Sequence, residues 1–225
     1  MKQHYYESGQ LKAKGKEVNG KKEGMWELYY ENGKLKGKIN FKNNKPEGIS
    51  EFYREDGSLE IKQMYKNGEE DGYYEVYYRN GQLKIRANTK EDNCKYVLES
   101  YYENGYLKYK GFLKNDKIEG IIISYYENGH LESKGSYRDG KRDGPFEFYS
   151  QQGNIIIKEN YENDRRDGVY EEYYENGQLK RKGFYRKGLR EGEWEDYYEE
   201  GEIRIKAILE NDKVIKFLVV YERIN

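Results

Sequence analysis

The chain has 225 residues, and its 41 Lys and Arg nearly cancel its 42 Asp and Glu, which leaves a formal net charge of -1. A surface so evenly balanced has no long-range attraction for nucleic acid or anionic lipid, so we expect no nucleic-acid partner and do not favour membrane lipid. The single cysteine, Cys94, excludes an intrachain disulfide.

The N-terminus leads directly into the repeated part of the chain. Tyr5 and Tyr6 follow Met1 closely, without the charged and then apolar segment of a signal peptide. The chain also has no run of about 18 apolar residues, the length that spans a membrane as a helix. We therefore expect a cytoplasmic protein. An exported or cell-surface location would require that an original signal peptide had been removed.

One segment, residues 29–35 with the sequence YYENGKL, is repeated along the chain. Its glycine returns every 24 residues without insertion or deletion. A fixed period of this length is the signature of a repeat array, so we predict about nine units in a single array over residues 1–225. The glycines of this period are Gly9, Gly33, Gly57, Gly81, Gly105, Gly129, Gly153, Gly177 and Gly201.

Each unit is predicted to contain two strands and two turns. Residues 24–30 are rich in aromatic side chains, which favours a strand. Asn32-Gly33 is a strong hairpin signal because both central residues of a type I′ turn need φ > 0, and we call this connection the first turn. Residues 35–41 then predict the return strand, and residues 42–47 a second turn.

The second turn follows a backbone rule of its own. Only Gly, Asn and Asp, which tolerate the left-handed region, occupy the position of Gly20 in each unit. The occupants are Gly20, Asn44, Gly68, Asp92, Asp116, Gly140, Asp164, Gly188 and Asp212. The predicted fold is therefore all-β, an elongated single-layer antiparallel meander of about nine 24-residue β-hairpin repeats. The 27 tyrosines predict half-buried side chains on sheet faces and no thick core.

The length of the first turn decides which side chains share a face. We favour a two-residue loop because it places Glu27 opposite Lys38, and cross-strand pairs of opposite charge are favourable. Strict alternation then puts Tyr29 on the charged face. A three-residue loop with a glycine bulge would instead pair Tyr29 with Leu35 and put both on the apolar face. The position of Tyr29 is tyrosine at Tyr5, Tyr29, Tyr53, Tyr77, Tyr101, Tyr125, Tyr149, Tyr173, Tyr197 and Tyr221.

Two stretches depart from the pattern. Residues 88–100 are the most degenerate, with Tyr96 in the place of a glycine, which we interpret as repeat drift, with a kink or a partner site as the alternative. Residues 213–225 contain the most apolar strand of the chain and are predicted to cap the array, because terminal repeats are usually atypical. An exposed apolar edge strand also favours pairing with another chain, so a contact at this edge is an open alternative.

Two further segments resemble the MORN repeat (membrane occupation and recognition nexus). They are residues 135–144, GSYRDGKRDG, and residues 183–194, GFYRKGLREGEW. The Tyr-Tyr-x-Asn-Gly-x-Leu segment resembles the bacterial variant of that repeat, found in the YwqK-type antitoxin family. The resemblance covers essentially the whole chain and departs from the motif around Tyr96. It implies an elongated single-layer sheet of hairpins, with roles in protein binding, scaffolding and, in some eukaryotic members, lipid association.

The sequence contains no constellation of residues that indicates catalysis. His4 and His130 are far apart in the array, and neither has a Cys or His partner at the spacing of metal ligands. No Gly-x-Ser-x-Gly segment or phosphate-binding loop is present, and the carboxylates are periodic and matched by lysines. We therefore predict a protein that is not an enzyme and has no metal or other cofactor.

Binding is the remaining class of function. Tyr and Trp offer a large contact area with a polar tip, so we predict a protein-binding scaffold that uses an aromatic-rich sheet face. The alternatives are an inhibitor of a cognate toxin and, if a leader peptide was removed, a surface or membrane-associated adhesion module. The partner would be a protein, either such a toxin or another copy of this chain at the C-terminal edge strand. The predicted partner-binding residues are Trp26, Tyr30, Tyr78, Tyr102, Tyr126, Tyr174, Trp194 and Tyr198.

Overall fold

The computed structural model describes residues 1–90, 95–115 and 117–221. The turn residues 92–94 of the degenerate stretch, including Cys94, lie outside this part of the chain, as do Asp116 and the last four residues of the predicted cap. The chain divides into two compact units, Met1–Tyr106 and Leu107–Asn225. We call these two parts unit 1 and unit 2, and we call each 24-residue element of the array a repeat.

Both units consist of β-strands, and the described residues contain no helix. Unit 1 contains β1 (Lys2–Tyr5), β2 (Leu11–Val18), β3 (Lys21–Tyr29), β4 (Leu35–Lys42), β5 (Lys45–Pro46), β6 (Gly48–Tyr53), β7 (Leu59–Lys66), β8 (Glu69–Tyr77), β9 (Leu83–Lys90) and β10 (Lys95–Tyr101). Unit 2 contains β11 (Leu107–Lys114), β12 (Lys117–Ile118), β13 (Gly120–Tyr125), β14 (Leu131–Arg138), β15 (Lys141–Tyr149), β16 (Ile155–Glu162), β17 (Arg165–Arg166), β18 (Gly168–Tyr173), β19 (Leu179–Arg186), β20 (Leu189–Tyr197), β21 (Ile203–Glu210) and β22 (Lys213–Val220).

Within each unit, strands that follow one another in the chain pair with one another, and every described pair is antiparallel. The short strands β5, β12 and β17 each lie between the return strand of one repeat and the first strand of the next. The return strand pairs with both, as β4 pairs with β5 and with β6. The prediction of an all-β antiparallel meander is confirmed.

The first turn has three residues, and the two-residue loop that we favoured is wrong. Tyr29 pairs with Leu35, and the Tyr30 N–H donates to the Lys34 carbonyl at 2.8 Å. The Gly33 N–H donates to the Tyr30 carbonyl at 2.9 Å, and Gly33 has φ of +81°. A type I turn followed by a left-handed glycine is the most usual three-residue hairpin loop, and it is next in frequency after the two-residue turns. Asn-Gly therefore signals a hairpin here without setting its length.

A second irregularity lies just beyond the turn. It restores the predicted pairing in the part of the hairpin that is farther from the turn. Leu28 pairs with Gly37, which leaves Lys36 as an extra residue opposite the boundary between Leu28 and Tyr29. Because this bulge offsets the longer turn, Glu27 lies opposite Lys38 as predicted. Other repeats have the same register shift at the same place, for example between Phe52 and Tyr53, and between Asp196 and Tyr197.

The second turn has two residues, both in the left-handed region. Asn43 and Asn44 have φ of +51° and +68°, and Lys42 pairs with Lys45 across them. The prediction that Gly, Asn and Asp are needed at the second of these positions is confirmed in the described units. Asn44 also ties the turn to the preceding repeat, because its side-chain oxygen accepts a hydrogen bond from the Lys22 N–H at 2.6 Å.

The side of the sheet that carries Trp26 holds the buried residues of unit 1, and we call the corresponding side of either unit the core face. Trp26 is fully buried, and its indole N–H donates to the Lys16 carbonyl at 3.0 Å. A Cβ on Gly15 would lie 2.3 Å from the Trp26 ring, so only glycine leaves room for this packing. Unit 2 repeats the arrangement with Gly183 beneath Trp194, whose cluster includes Tyr170, Ala207 and Leu209.

The three-residue turn makes a prediction at Gly177, where φ is +85° and no heavy atom lies within 4 Å of a built Cβ. Gly177→Val should lower the free energy of unfolding by about 1–2 kcal/mol, because a β-branched residue resists the left-handed region. Gly177→Asn should cost less, since Asn tolerates this region. Urea unfolding of both variants measures the difference, and equal stability of the two would contradict the turn geometry.

Candidate protein-binding surfaces

The ladder face is the side of each unit that carries alternating Glu and Lys residues. In unit 1, Glu27 lies between Lys14 and Lys38, and Lys38 lies between Glu27 and Glu51. The Lys14 Nζ is 2.9 Å from Glu27 Oε2. Half-exposed ion pairs contribute only about 0–1 kcal/mol each, so their main effect is to favour one register over its neighbours. Unit 2 has the same alternation from Lys134 to Lys206, and Ile123 precedes it.

The tyrosine at position 29 lies on the ladder face. Its phenol donates a hydrogen bond to the glutamate two residues earlier, as in Tyr29 to Glu27 at 2.6 Å and Tyr53 to Glu51 at 2.6 Å. Burial and the neighbouring Glu51 carboxylate raise the pKa of Tyr53 to about 12, so the phenol stays a donor at neutral pH. The same contact is made by Tyr77, Tyr101, Tyr149, Tyr173 and Tyr197. This contact explains the tyrosine in these seven repeats, whereas Tyr5 donates instead to Gln3.

Glu195 is the most enclosed of the ladder carboxylates in unit 2. It is buried, and it accepts hydrogen bonds from Tyr197, from Lys206 Nζ at 2.8 Å and from Lys182 Nζ at 2.8 Å. Burial alone would raise the pKa of Glu195, but these donors outweigh it and lower the pKa to about 2. The carboxylate is therefore ionised and fully paired at neutral pH.

The tyrosine at position 30 joins one repeat to the next. The Tyr30 hydroxyl donates to the Tyr53 carbonyl at 2.7 Å, and the Tyr174 hydroxyl donates to the Tyr197 carbonyl at 2.8 Å. Where the residue is Arg54, its guanidinium donates to the equivalent Tyr77 carbonyl at 2.6 Å. The same bond is made by Tyr6, Tyr78, Tyr126 and Tyr198. Tyr and Arg can both occupy the position because both reach that carbonyl, whereas Ser150 accepts a hydrogen bond from the Asn154 N–H.

Cations of the chain itself cover much of the aromatic core face. The Lys22 Nζ lies 4.6 Å from the centre of the Trp26 ring, and the Arg142 guanidinium lies 4.0 Å from that of Tyr161. Arg190 lies over Trp194 in the same way, at 5.8 Å. Such cation–π contacts reduce the aromatic area that is left for a partner.

The ladder face also carries a row of apolar residues in seven successive repeats, most of them exposed, and we call it the exposed row. The row follows the glycine at position 24, and its side chains point to the same side as Glu27 because residues i and i+2 of a strand share a face. Met25 and Ile49 are 53% and 50% exposed in unit 1, and Val169 is 53% exposed in unit 2. The row consists of Met25, Ile49, Tyr73 and Val97 in unit 1, and of Ile121, Pro145 and Val169 in unit 2. Tyr73 and Val97 are half-buried, and the other five are exposed.

The exposed row was not among the sequence predictions. Its signal was present in the sequence, since an apolar residue follows the glycine position in seven successive units and Glu193 ends the series. Exposure, however, depends on whether neighbouring side chains cover the position. At Val169 the row borders a cavity of about 340 Å³ that is also lined by Phe184, Lys182 and Glu193.

A smaller cavity lies on the core face of unit 2, beside the last strand. It has a volume of about 180 Å³ and is lined by Trp194, Ile205, Leu209, Val214 and Phe217, among others. The Trp194 indole N–H is buried and has no hydrogen-bond acceptor in the described chain. Trp26, by contrast, donates its N–H to a carbonyl, so the two tryptophans are not equivalent.

Comparison with known families decides what kind of repeat this is. The MORN repeat variant family matches residues 22–43, 46–67, 70–91, 118–139, 142–163, 166–187 and 190–211, which is more than half of the chain. The chain belongs to the MORN repeat variant family. MORN repeats are generally protein- or membrane-binding modules, and the family is typically non-enzymatic.

Comparison with individual proteins adds little to this assignment. No curated protein matches the chain. Among solved structures it is similar to the TcdB2-TccC3-TEV crystal structure, with 10% identity, a TM-score of 0.26, and coverage of 91% of this chain and 16% of that one. The Photorhabdus luminescens Tc holotoxin pore gives 12% identity, a TM-score of 0.21, and coverage of 93% and 13%. The MORN chain therefore spans less than a fifth of either protein.

The residues predicted from the sequence to bind a partner lie at three kinds of place in the MORN units. Trp26 and Trp194 are buried on the core face. Tyr102 is half-buried, and the remaining tyrosines form the inter-repeat hydrogen bonds described above. Their part in partner binding stays a prediction. The remaining members are Tyr30, Tyr78, Tyr126, Tyr174 and Tyr198.

The histidines of the MORN array have local partners. His4 lies against Trp26 with ring centres 5.6 Å apart, and His130 Nδ1 is 2.6 Å from the Gln151 carbonyl. Over the part of the chain that the structure describes, no three His, Cys, Asp or Glu side chains form a group that could hold a metal ion. The same residues include no helix capable of crossing a membrane.

The Glu195 site predicts a defined acid sensitivity for unit 2. Because the folded pKa of about 2 lies below the ordinary 4.5, the carboxylate stabilises the fold above pH 4.5, and this contribution is lost as the pH falls toward 2. Glu195→Gln should cost about 1–3 kcal/mol at pH 7, the size of hydrogen bonds to a charged group. The gap between wild type and variant should close between pH 4.5 and pH 2. Glu210→Gln, at an exposed position of the same unit, is the control, and a pH-independent gap would contradict the assignment.

The inter-repeat hydrogen bond predicts a stabilising role for the Tyr174 hydroxyl. Tyr174→Phe should lower the free energy of unfolding by about 0.5–1.5 kcal/mol, because the ring remains and only the donor is lost. Tyr106→Phe, at a side chain that is 55% exposed, should change stability by less. Urea unfolding monitored by circular dichroism measures both, and equal effects would show that the bond does not stabilise the repeats.

Proposed function

We propose that this MORN chain is a non-enzymatic protein-binding scaffold, and that its partner contacts the exposed row on the ladder face. The observation that carries the proposal is that the row is apolar in seven successive repeats and that Met25, Ile49, Ile121 and Val169 are each about half exposed. The chain is otherwise highly polar, with 37% charged residues, so an exposed position that keeps apolar side chains is unusual for it.

Burial of this row would supply the free energy of binding. Met25, Ile49 and Val169 each leave about half of their surface in water. Covering apolar surface contributes roughly 25 cal/mol per Å², so several such side chains together can support a specific contact. Most of the aromatic side chains that we predicted for this role are buried or make hydrogen bonds within the chain. This favours the exposed row as the contact surface.

The spacing of the row favours an extended protein segment as the partner. Residues of the row are two strands apart, which corresponds to about 10 Å. A polyproline II chain that crosses the strands has three residues per turn and advances about 9 Å in each turn, so every third side chain points to the same side and can contact one repeat. The cross-strand neighbours of the row include Asn40, Ser136 and Asn160, whose polar groups suit a main chain between those contacts.

The ladder beside the row disfavours a lipid surface. Lys14, Lys182 and Lys206 each lie within 3 Å of a carboxylate oxygen, so their charges are already paired. Anionic membranes attract unpaired, clustered basic residues. Inhibition of a cognate toxin and adhesion at a surface would both be special cases of protein binding, and both stay predictions.

The test compares variants in the capture of proteins from a lysate of the source organism. Ile49→Thr, Ile121→Thr and Val169→Thr are combined, because threonine keeps the β-branched shape and removes apolar surface. We expect the amount of each specifically captured protein to be at least about tenfold lower for this variant than for the wild type. A tenfold weaker affinity corresponds to about 1.4 kcal/mol of binding free energy. The matched control combines Val18→Thr and Leu189→Thr, which are exposed apolar residues outside the row.

Circular dichroism and urea unfolding must show that both variants keep the wild-type fold. Equal recovery by the two variants would overturn the exposed row as the contact surface. A parallel variant with Tyr78→Ser, Tyr102→Ser and Tyr126→Ser tests the aromatic prediction. Loss of capture at unchanged stability in that variant alone would assign binding to the tyrosines instead.

A further inference from the structure

The cavity beside Trp194, on the core face of unit 2, combines buried apolar side chains with charged ones. Its volume is about 180 Å³. Trp194, Ala207 and Leu209 form its buried apolar part. An apolar cavity of about 150 Å³ is large enough for a benzene ring, so this cavity has room for an apolar body of that size. The other lining residues are Arg181, Arg190, Asp196, Ile205, Val214 and Phe217.

The indole N–H of Trp194 is a polar group of this cavity that lacks a partner. In unit 1 the Trp26 N–H donates to the Lys16 carbonyl, whereas the Trp194 N–H is buried and has no acceptor in the described chain. The two rings also sit differently on the glycine beneath them. The ring atoms nearest to a built glycine Cβ include Cγ in Trp26 and Cε3 in Trp194. Because a buried donor without an acceptor is unfavourable, a ligand that brings an acceptor to this indole is stabilised.

Arg190 supplies further donors to the same cavity. Its Nε–H donates to Asp212 Oδ1 at 2.9 Å, and its two terminal nitrogens make no hydrogen bond within the described residues. The guanidinium lies 5.8 Å from the centre of the Trp194 ring, so these donors and the indole belong to one site. Two N–H groups of one guanidinium bind both oxygens of a carboxylate in a strong, directional pair.

The charges of the lining favour an anion over a cation. Arg181 and Arg190 outnumber Asp196 there. The Asp196 carboxylate is already matched, because Arg181 Nε lies 2.6 Å from its Oδ1 and the Arg204 guanidinium lies 3.2 Å from its Oδ2. A cation would therefore meet no unpaired carboxylate on the lining, whereas an anion meets the terminal N–H groups of Arg190.

We propose that this cavity binds a small organic carboxylate whose apolar body is about one ring in size. The body lies against Trp194, Leu209 and Phe217, and the carboxylate accepts hydrogen bonds from Arg190 and from the Trp194 N–H. The cavity is smaller than the roughly 300 Å³ at which pockets for drug-sized ligands begin, which favours a ligand of about ten non-hydrogen atoms. The site lies on the core face, so it is independent of the exposed row and of the proposed function.

Nuclear magnetic resonance titration of the isotope-labelled 225-residue chain with phenylacetate, at constant ionic strength, tests the site. The chain has two tryptophans, and Trp194→Phe assigns their indole N–H resonances because it removes one of them. We expect the Trp194 resonance to shift and to saturate with a Kd of about 0.2–5 mM, as suits a ligand of this size, while the Trp26 resonance stays in place.

Two related compounds test the two parts of the ligand. Phenylacetamide keeps the shape of phenylacetate without its charge, and acetate keeps the charge without the ring. Each should bind at least about fivefold more weakly than phenylacetate, because each lacks one of the two contacts. Equal binding of either compound would overturn the proposal.

Variants of the lining provide the second measurement. Arg190→Gln should weaken phenylacetate binding at least about tenfold by removing the guanidinium. Arg186→Gln, at an exposed position of the same unit outside the cavity, is the matched control. Val214→Phe should also weaken binding at least about tenfold, because the larger side chain fills the cavity. Circular dichroism and urea unfolding must show that each variant keeps the wild-type fold.

Three results would each overturn the proposal. They are a Trp194 resonance that does not shift up to about 20 mM phenylacetate, equal affinity of the Arg190 and Arg186 variants, and wild-type affinity of Val214→Phe. The last comparison decides the outcome if Arg190→Gln fails to keep the fold.

Discussion

The register between the two strands of each hairpin is the constraint on which the rest of the structure depends. The first turn adds a third residue through a left-handed glycine, and the bulge at Lys36 removes the resulting offset. If only one of these irregularities were present, every side chain beyond it would move to the other face. Trp26 would then leave the core face, and Glu27 would lose its position opposite Lys38. Each repeat therefore needs both irregularities, the three-residue turn and the bulge.

Side-chain hydrogen bonds hold this register in place of a thick core. The tyrosine at position 29 binds the carboxylate of its own strand, and the tyrosine at position 30 reaches the carbonyl 23 residues later. The second turns are joined in a similar way, with Asn44 bound to Lys22. A thin sheet buries little apolar surface. Many modest polar contacts therefore supply the stabilising free energy that a larger hydrophobic core would otherwise provide. Tyrosine suits both roles because it combines a broad ring with a terminal donor.

This use of the aromatic residues moves the candidate binding surfaces elsewhere. The rings of the core face pack against glycines and lie beneath Lys and Arg side chains, as Trp26 does between Gly15 and Lys22. Among the described residues, the row beginning at Met25 and the strand β22 leave apolar side chains open to solvent. The row is repeated along each unit and suits a long partner.

The amino-acid sequence by itself determined the period, the all-β class, the left-handed second turns and the Glu–Lys pairing, because these follow from residue types at fixed spacing. The tertiary structure decided the length of the first turn, since two compensating one-residue shifts leave the distant pattern unchanged. It also decided the role of Tyr30, whose acceptor is a backbone carbonyl of the next repeat and carries no side-chain signal. The exposure of Ile49 and Val169 was likewise a tertiary property, because it depends on what the neighbouring strands leave uncovered.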